Sequence, residues 1–387
     1  MSNASSDFNK CLSPFYYLHE PFAAEVARLT VDILIALSGV LGNILVCLVV
    51  TRKFRKNTPI NYYILSLAVA DLGVLLVNFP FAIMKAEVPS HWPLGKAVCL
   101  YIYPTVEVFF GASIWSITAI AVERYRNIVC MKGVSQRQSL VKRSIGKSVY
   151  FVLVAVWLGS LLTTVPVIFH FKYISESKSC FLLWPSQTYE QVYNTITVFF
   201  SYILPLNVIT WTYIHIGRSL RQSTAFNKEM SGQQSSGNSR NSRMKQNSKA
   251  KRILTPLVIV FAVTMLPIHT MKLGIAFWRC EIISNEGFLV MFNLCMTLTI
   301  MNSACNAFIY SLVSKEFRAG FKALLLSWKI KWHNRSSMIS TESKAFTDFV
   351  SHRHAMKSKN SGKEYHWPLP QEYNSLQETN VWIQSNV

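Results

Sequence analysis

The chain has 387 residues, 51% hydrophobic and 15% charged, with a formal net charge of +20. A water-soluble domain carries about a quarter charged residues, so an ordinary soluble globule is excluded. The positive charge does not indicate a nucleic-acid partner either, because the basic residues sit in short runs between apolar stretches.

Residues 1–28 are polar, without the basic, apolar and small-residue order of a cleavable signal. They hold one glycosylation sequon, Asn3-Ala4-Ser5. Apolar segments follow near 29–51, 62–86, 97–129, 148–170, 193–217, 252–278 and 287–312, each long enough to cross a bilayer. The first is expected to serve as its own uncleaved signal. The third exceeds what the bilayer needs and should tilt or project beyond it.

Basic residues follow the first span at Arg52, Lys53, Arg55 and Lys56 and recur between spans three and four and spans five and six. The alternate connections mix signs, as in Lys85, Glu87 and Lys96. The positive-inside bias then predicts an outer N-terminus and a cytosolic C-terminus in a multi-pass membrane protein, and the plasma membrane is the expected location. The basic face would meet anionic inner-leaflet lipid.

Residues 219–250, rich in Ser, Asn, Gln and Gly, are expected to form a disordered cytosolic loop. Over 313–333, Phe321, Leu324, Leu325, Leu326 and Trp328 recur at helical spacing among basic residues. This predicts an amphipathic helix lying on the inner membrane face. Residues 334–387 are expected to be a disordered cytosolic tail, with Ser336, Ser337, Ser340, Thr341 and Ser343 as phosphorylation candidates. The expected fold class is an all-α membrane protein, a seven-transmembrane helix bundle over 29–312 with a short amphipathic inner-face helix.

Of eight cysteines, Cys11, Cys99, Cys180 and Cys280 fall on the expected outer side, where disulfides persist. Four cysteines allow three pairings. Cys99–Cys180 would pin a loop over the bundle, and Cys11–Cys280 would then tie the N-terminal segment to the last outer loop. The alternative for Cys11 is a free thiol in a mobile tail.

Inside the apolar spans stand Asn43, Asp71, Ser113, Asn302, Ser303 and Asn306. A carboxylate in lipid is expensive and is kept where partners hold it. No HExxH, GxSxG or P-loop occurs, so no catalytic residue and no enzymatic activity is expected. No internal repeat supports the inverted-repeat plan of many transporters.

Several marks lie in order on these spans: Gly42-Asn43, Leu67-Ala68-Val69-Ala70-Asp71, Trp92, Cys99, Glu123-Arg124-Tyr125, Trp157, Pro205, Tyr213, Phe261, Pro267, and Asn302-Ser303 with Asn306-Ala307-Phe308-Ile309-Tyr310. Over about residues 25–330 the chain resembles a rhodopsin-like (class A) G-protein-coupled receptor, most like the peptide-receptor branch. The resemblance implies a sodium ion at Asp71, Ser113, Asn302, Ser303 and Asn306 that stabilises the inactive state. The alternative is a neutral Asp71 in a structural polar knot.

The resemblance also implies that Arg124, paired with Glu123 beside Tyr125, is released on activation to contact a heterotrimeric G protein. Tyr213 and Tyr310 would rearrange towards it. Pro205, Ile114 and Phe261 would form the relay, with Pro267 as the hinge of helix six. A phosphorylated tail would bind arrestin.

Three positions depart from the family pattern. Asn247 stands where a second acidic partner is usual, Met265 where a tryptophan is usual, and Ala307 where a proline is usual. Ala307 is shared with melatonin-type receptors. Together these predict raised ligand-independent activity.

An aminergic receptor would need an aspartate at Val106, and a retinal protein a lysine at Ile300. The outer half offers Glu107, His269, Lys272, Tyr103 and Phe81 as ligand-binding candidates, a mixed-charge aromatic rim that suits a peptide. Glu107 would anchor a basic ligand group, or would only pair with His269 or Lys272. The stretch around Cys180, from Phe171 to Trp184, has the character of a β-hairpin. A melatonin-type small-molecule receptor is the alternative, with a membrane transporter behind it.

Overall fold

The structure is a computed structural model and is described over residues 21–52, 58–88, 91–130, 138–229, 237–283, 287–313, 317–324 and 326–327. The calls on Asn3, Cys11, the phosphorylation candidates and the tail beyond 327 lie outside these residues. Of the expected surface helix at 313–333, residues 317–324 are helical.

Seven helices are long and apolar enough to cross a membrane. They are α1 (Phe22–Arg52), α2 (Pro59–Lys85), α3 (Gly95–Cys130), α4 (Lys147–His170), α5 (Gln187–Gln222), α6 (Thr255–Phe277) and α7 (Phe288–Tyr310). Hydropathy located all seven because a spanning chain must close every backbone hydrogen bond within itself. α2 starts where Thr58 is extended and Pro59 takes the first helical position, where its missing N–H costs nothing.

The expected loop at 219–250 is largely helical instead. The helix of α5 continues to Glu229, and that of α6 begins at Gly237. An established helix extends at little cost per residue, and the Arg, Gln, Lys and Met here are good helix formers. Apolar periodicity does not reveal such solvated extensions.

α3 is the hub, packed on α2, α4 and α5, while α7 closes the bundle against α1 and α6. Trp157 of α4 donates its indole N–H to Ser66 at 3.1 Å, and Ser66 meets Ser116 of α3 at 3.0 Å. Small residues set the spacing. A Cβ at Gly39 or Gly42 would come within 2.8 Å of Ala304 or Ala307, and one at Gly73 within 2.2 Å of Phe109. Glycine at such helix contacts lets backbones approach closely.

Large apolar side chains such as Leu37, Phe151, Leu162 and Leu312 point outwards, while Asn43, Asp71, Ser113 and Asn306 are buried. This reverses the pattern of a soluble bundle.

One end is capped by a hairpin, β1 (Phe171–Ile174) and β2 (Ser179–Leu182), antiparallel with Tyr173 opposite Cys180. The expected hairpin is therefore present. Cys99 at the start of α3 is disulfide-bonded to Cys180, and the Trp92 N–H donates to the Lys178 carbonyl at 2.6 Å. The hairpin is thus held over the bundle at two points. The possible Cys11–Cys280 bond lies outside the described residues, through Cys11.

The chain divides into two units, Met1–Ala323, which holds the seven spans, and Leu324–Val387.

Candidate functional site

The polar residues of the spans converge. Asp71 on α2 is fully buried; one carboxylate oxygen accepts from the Ser113 hydroxyl of α3 at 2.7 Å, the other from the Asn306 amide of α7 at 2.8 Å. Ser303 lies beside the same carboxylate. Asn43 donates its amide to the carbonyls of Gly39 and Ser303 at 3.0 and 3.2 Å, which fixes α1 to α7. Four helices therefore share one knot.

Asn302 departs from the expected set. Its side-chain oxygen accepts from Thr264 of α6 at 3.2 Å, so it links α7 to α6. The carboxylate, the two serine hydroxyls and a turned amide supply the oxygen that a hard cation prefers. The residues therefore fit sodium once the Asn302 and Asn306 amides turn their oxygens towards it.

One layer nearer the hairpin lies a second buried node. Ile114, Phe261 and Met265 are each at most 1% exposed, and Pro205 is also buried. Pro267 sits inside a continuous helix. His269, one turn above Met265, meets the Met265 carbonyl through Nδ1 at 2.9 Å and the Ser201 hydroxyl through Nε2 at 2.8 Å. Its ring stacks on Phe110 and tilts against Tyr202. Ser201 and Tyr202 lie on a widened turn of α5, where the Leu204 N–H reaches back to Phe199. The ligand candidate His269 thus belongs to the packed core beneath the cavity. Phe81 is likewise packed, against Trp92 and Tyr103. Chain position alone does not say how far a side chain turns from the bundle axis.

At the opposite end of α3, the Glu123 carboxylate accepts from Arg126 at 3.0 Å and from Asn127 at 3.0 Å. These partners stand three and four residues on, which puts them on one helix face; the sequence carried that signal unread. Tyr213 of α5 bonds Thr255 of α6 through their hydroxyls. Tyr125 packs on Trp211 at 4.9 Å. Tyr310 of α7 stacks on Phe317 at 5.3 Å. Its buried hydroxyl has no hydrogen-bond partner among the described residues.

Beneath the hairpin opens a cavity of about 390 Å³, lined among others by Lys85, Tyr103, Glu107, Phe181, Trp184 and Lys272. Lys272 donates to both oxygens of Glu107 at 3.0 and 3.1 Å. Of the two partners open for Glu107, Lys272 is therefore the one it takes. Lys272 also lies 5.7 Å from the Phe110 ring centre, so the ion pair rests on the ring that stacks on His269. Glu190 of α5, which also lines the cavity, is paired with Arg279. Trp184, Tyr189, Tyr193 and His170 form an aromatic wall. Glu190, Trp184 and Tyr193 were not among the sequence candidates; their signal was a lone acid, Glu190, among the aromatic residues that follow Cys180.

A second buried aspartate also went unread. Asp32 of α1 accepts from Thr297 of α7 at 2.7 Å and lies 3.9 Å from Arg28, which in turn reaches Glu87 at 3.2 Å. An acid inside an apolar span, here the first, is the same signal that marked Asp71 on the second.

The family description "7 transmembrane receptor (rhodopsin family)" matches residues 42–310. The chain belongs to this family of receptors, which is not an enzyme family. Among its relatives, neuromedin-U receptor 2 of Homo sapiens is 31% identical over 314 residues, covering 77% of this chain and 71% of the relative. Galanin receptor type 1 of Mus musculus is 29% identical over 75% of this chain and 78% of the relative. Neuropeptide Y receptor type 6 of Mus musculus is 23% identical over 81% and 85%.

Proposed function

We propose that the chain is a cell-surface receptor that converts binding of an extracellular peptide into activation of a heterotrimeric G protein. The observation that carries this reading is the cavity beneath the hairpin, where charges of both signs meet an aromatic wall. A peptide presents such a mixture along its length. Relatives named for neuromedin-U, galanin and neuropeptide Y support it.

In this reading the hairpin end and the N-terminus are extracellular, and the Arg124 end is cytosolic. The disulfide supports that orientation, since disulfides persist outside the cell. Glu107 and Lys272 offer groups of opposite charge to a ligand that exchanges its own for their ion pair. The signal then passes through Phe110, His269 and Met265 to Phe261 and the Pro267 turn of α6. Arg124, Tyr213 and Tyr310 meet the G protein where α6 moves away.

Sodium held by Asp71, Ser113 and Ser303, with Asn302 and Asn306 rotated towards it, is the proposed brake. The basic inner face meets anionic lipid, and phosphorylation of the tail recruits arrestin. The four charged groups of the cavity lining disfavour a melatonin-type small molecule despite Ala307.

The test expresses the full chain in cells and screens peptide libraries against a panel of G-protein activation reporters. Activation by a peptide, lost with Arg124→Ala at equal surface expression, is the expected result. Substrate flux into receptor-bearing vesicles without G-protein activation would overturn it.

A further inference from the structure

The cavity beneath the hairpin is lined by four charged side chains, and three of them are neutralised. Glu107 holds Lys272 through both oxygens, and Glu190 holds Arg279. The fourth is Lys85, at the hairpin end of α2. Its Nζ donates to the carbonyl of Cys180 at 2.6 Å and lies 5.3 Å from the ring centres of both Trp92 and Phe181. Among the described residues no carboxylate meets it.

An ammonium group has three N–H donors, and the Cys180 carbonyl takes one. Aromatic faces attract a cation but do not cancel its charge. A half-buried cation beside Tyr103, Phe181 and Leu182 is costly to hold without a counter-charge. The disulfide fixes the Cys180 carbonyl, so the ammonium is also positioned, with two donors remaining at the cavity wall.

We propose that Lys85 is an anion-binding subsite, and that the ligand seats a carboxylate on it. The carboxylate is either the free C-terminus of a peptide or an Asp or Glu side chain. A single point charge with two spare donors suits a monoanion. A phosphate or sulfate needs further cations, and Lys272 and Arg279 are already paired. The adjoining faces of Phe181 and Tyr103 favour a flat or apolar group next to the acid. This inference rests on the receptor reading above and adds the charge of the ligand.

The test screens wild-type receptor with three matched random peptide libraries: free-acid, C-terminally amidated, and amidated without Asp or Glu. A fourth set holds non-peptide carboxylates, namely N-acyl amino acids and aromatic acids. G-protein activation is read at equal surface expression for wild type, Lys85→Met and Lys85→Arg. Hits are expected in the acid-bearing libraries. Their potency should fall on the order of 10- to 100-fold with Lys85→Met and recover with Lys85→Arg.

Removing the acid from the ligand should cause the same fall in wild type and no further fall in Lys85→Met. That non-additivity separates ligand contact from a role in holding the hairpin, which would lower the potency of acid-free peptides equally. Hits spread evenly into the acid-free library would overturn the subsite and leave the peptide reading standing. Lys85-dependent activation by the carboxylate set alone would support the subsite and overturn the peptide reading. Silence of every set would overturn both.

Discussion

Asp71 and Glu107 are two carboxylates on the same bundle, solved in opposite ways. Asp71 is sealed from solvent and held by neutral donors, Ser113 and Asn306. Glu107 is 32% exposed at its side chain and held by a cation, Lys272. Neutral donors on α3 and α7 hold the Asp71 carboxyl of α2 without bringing a counter-charge, and they tie its cost to the packing of those three helices. A cation across an open cavity cancels the charge and yields it to any ligand group that competes. The first arrangement suits a conformational switch, the second an exchangeable recognition site.

The comparison is broken most directly at Asp71. Asp71→Ala strands the Ser113 hydroxyl and the Asn306 amide, each worth about 1–3 kcal/mol when unsatisfied. We expect the largest fall in thermal stability of the purified receptor from this change, and a full recovery with Asp71→Asn would contradict the view that the charge matters. Wild type should also gain stability when choline chloride is replaced by sodium chloride at equal ionic strength, and Asp71→Asn should not.

Next in size is Gly73→Ala. The new methyl would meet Phe109 and push apart the helices that bring Ser113 to Asp71, and overpacking of this kind costs about 1–3 kcal/mol. Gly159→Ala is the control, because nothing lies within 4 Å of its Cβ. Equal melting temperatures for the two variants would show that the α2–α3 contact yields freely.

At Glu107 the expected effect on stability is smaller, about 0.2–1 kcal/mol for a pair that water reaches. The effect on signalling is larger. Glu107→Lys should abolish the response to a peptide hit, and Glu107→Lys combined with Lys272→Glu should restore part of it. An unchanged dose curve in the single variant would remove Glu107 from the site.

The smallest effect concerns basal activity. Restoring the usual residue with Met265→Trp or Ala307→Pro should lower ligand-independent second-messenger signal by roughly two- to fivefold, a population shift of about 0.4–1 kcal/mol. A wild-type signal no higher than mock transfection would leave nothing to lower.

The seven spans were legible because lipid enforces a length and a composition that the chain displays openly. The hairpin and the Asp71 knot were legible through residue types at fixed places on those spans. Azimuth and distant pairing were not. His269 and Phe81 have the chemistry of a binding site, yet they turn into the packed core. Lys272 stands 165 residues from Glu107, and only the fold chooses it over His269. The helical extensions to Glu229 and from Gly237 also escaped, since an extended helix in water needs no apolar stripe. Asn302 had the right residue type and the right span, but it points to α6.

The hydroxyl of Tyr310 carries a consequence for timing. Buried with no partner among the described residues, it raises the free energy of this arrangement by about 1–3 kcal/mol relative to one in which it is bonded. Any motion that brings it a donor or acceptor, or water, is downhill by that amount at this one atom. A motion that also swings the ring would have to give up the stack on Phe317. At this residue the arrangement is therefore held by the packing of ring on ring, while hydrogen bonds hold the Asp71 knot. Loosening that packing with Phe317→Ala should quicken entry into the signalling state more than it changes the strength of ligand binding.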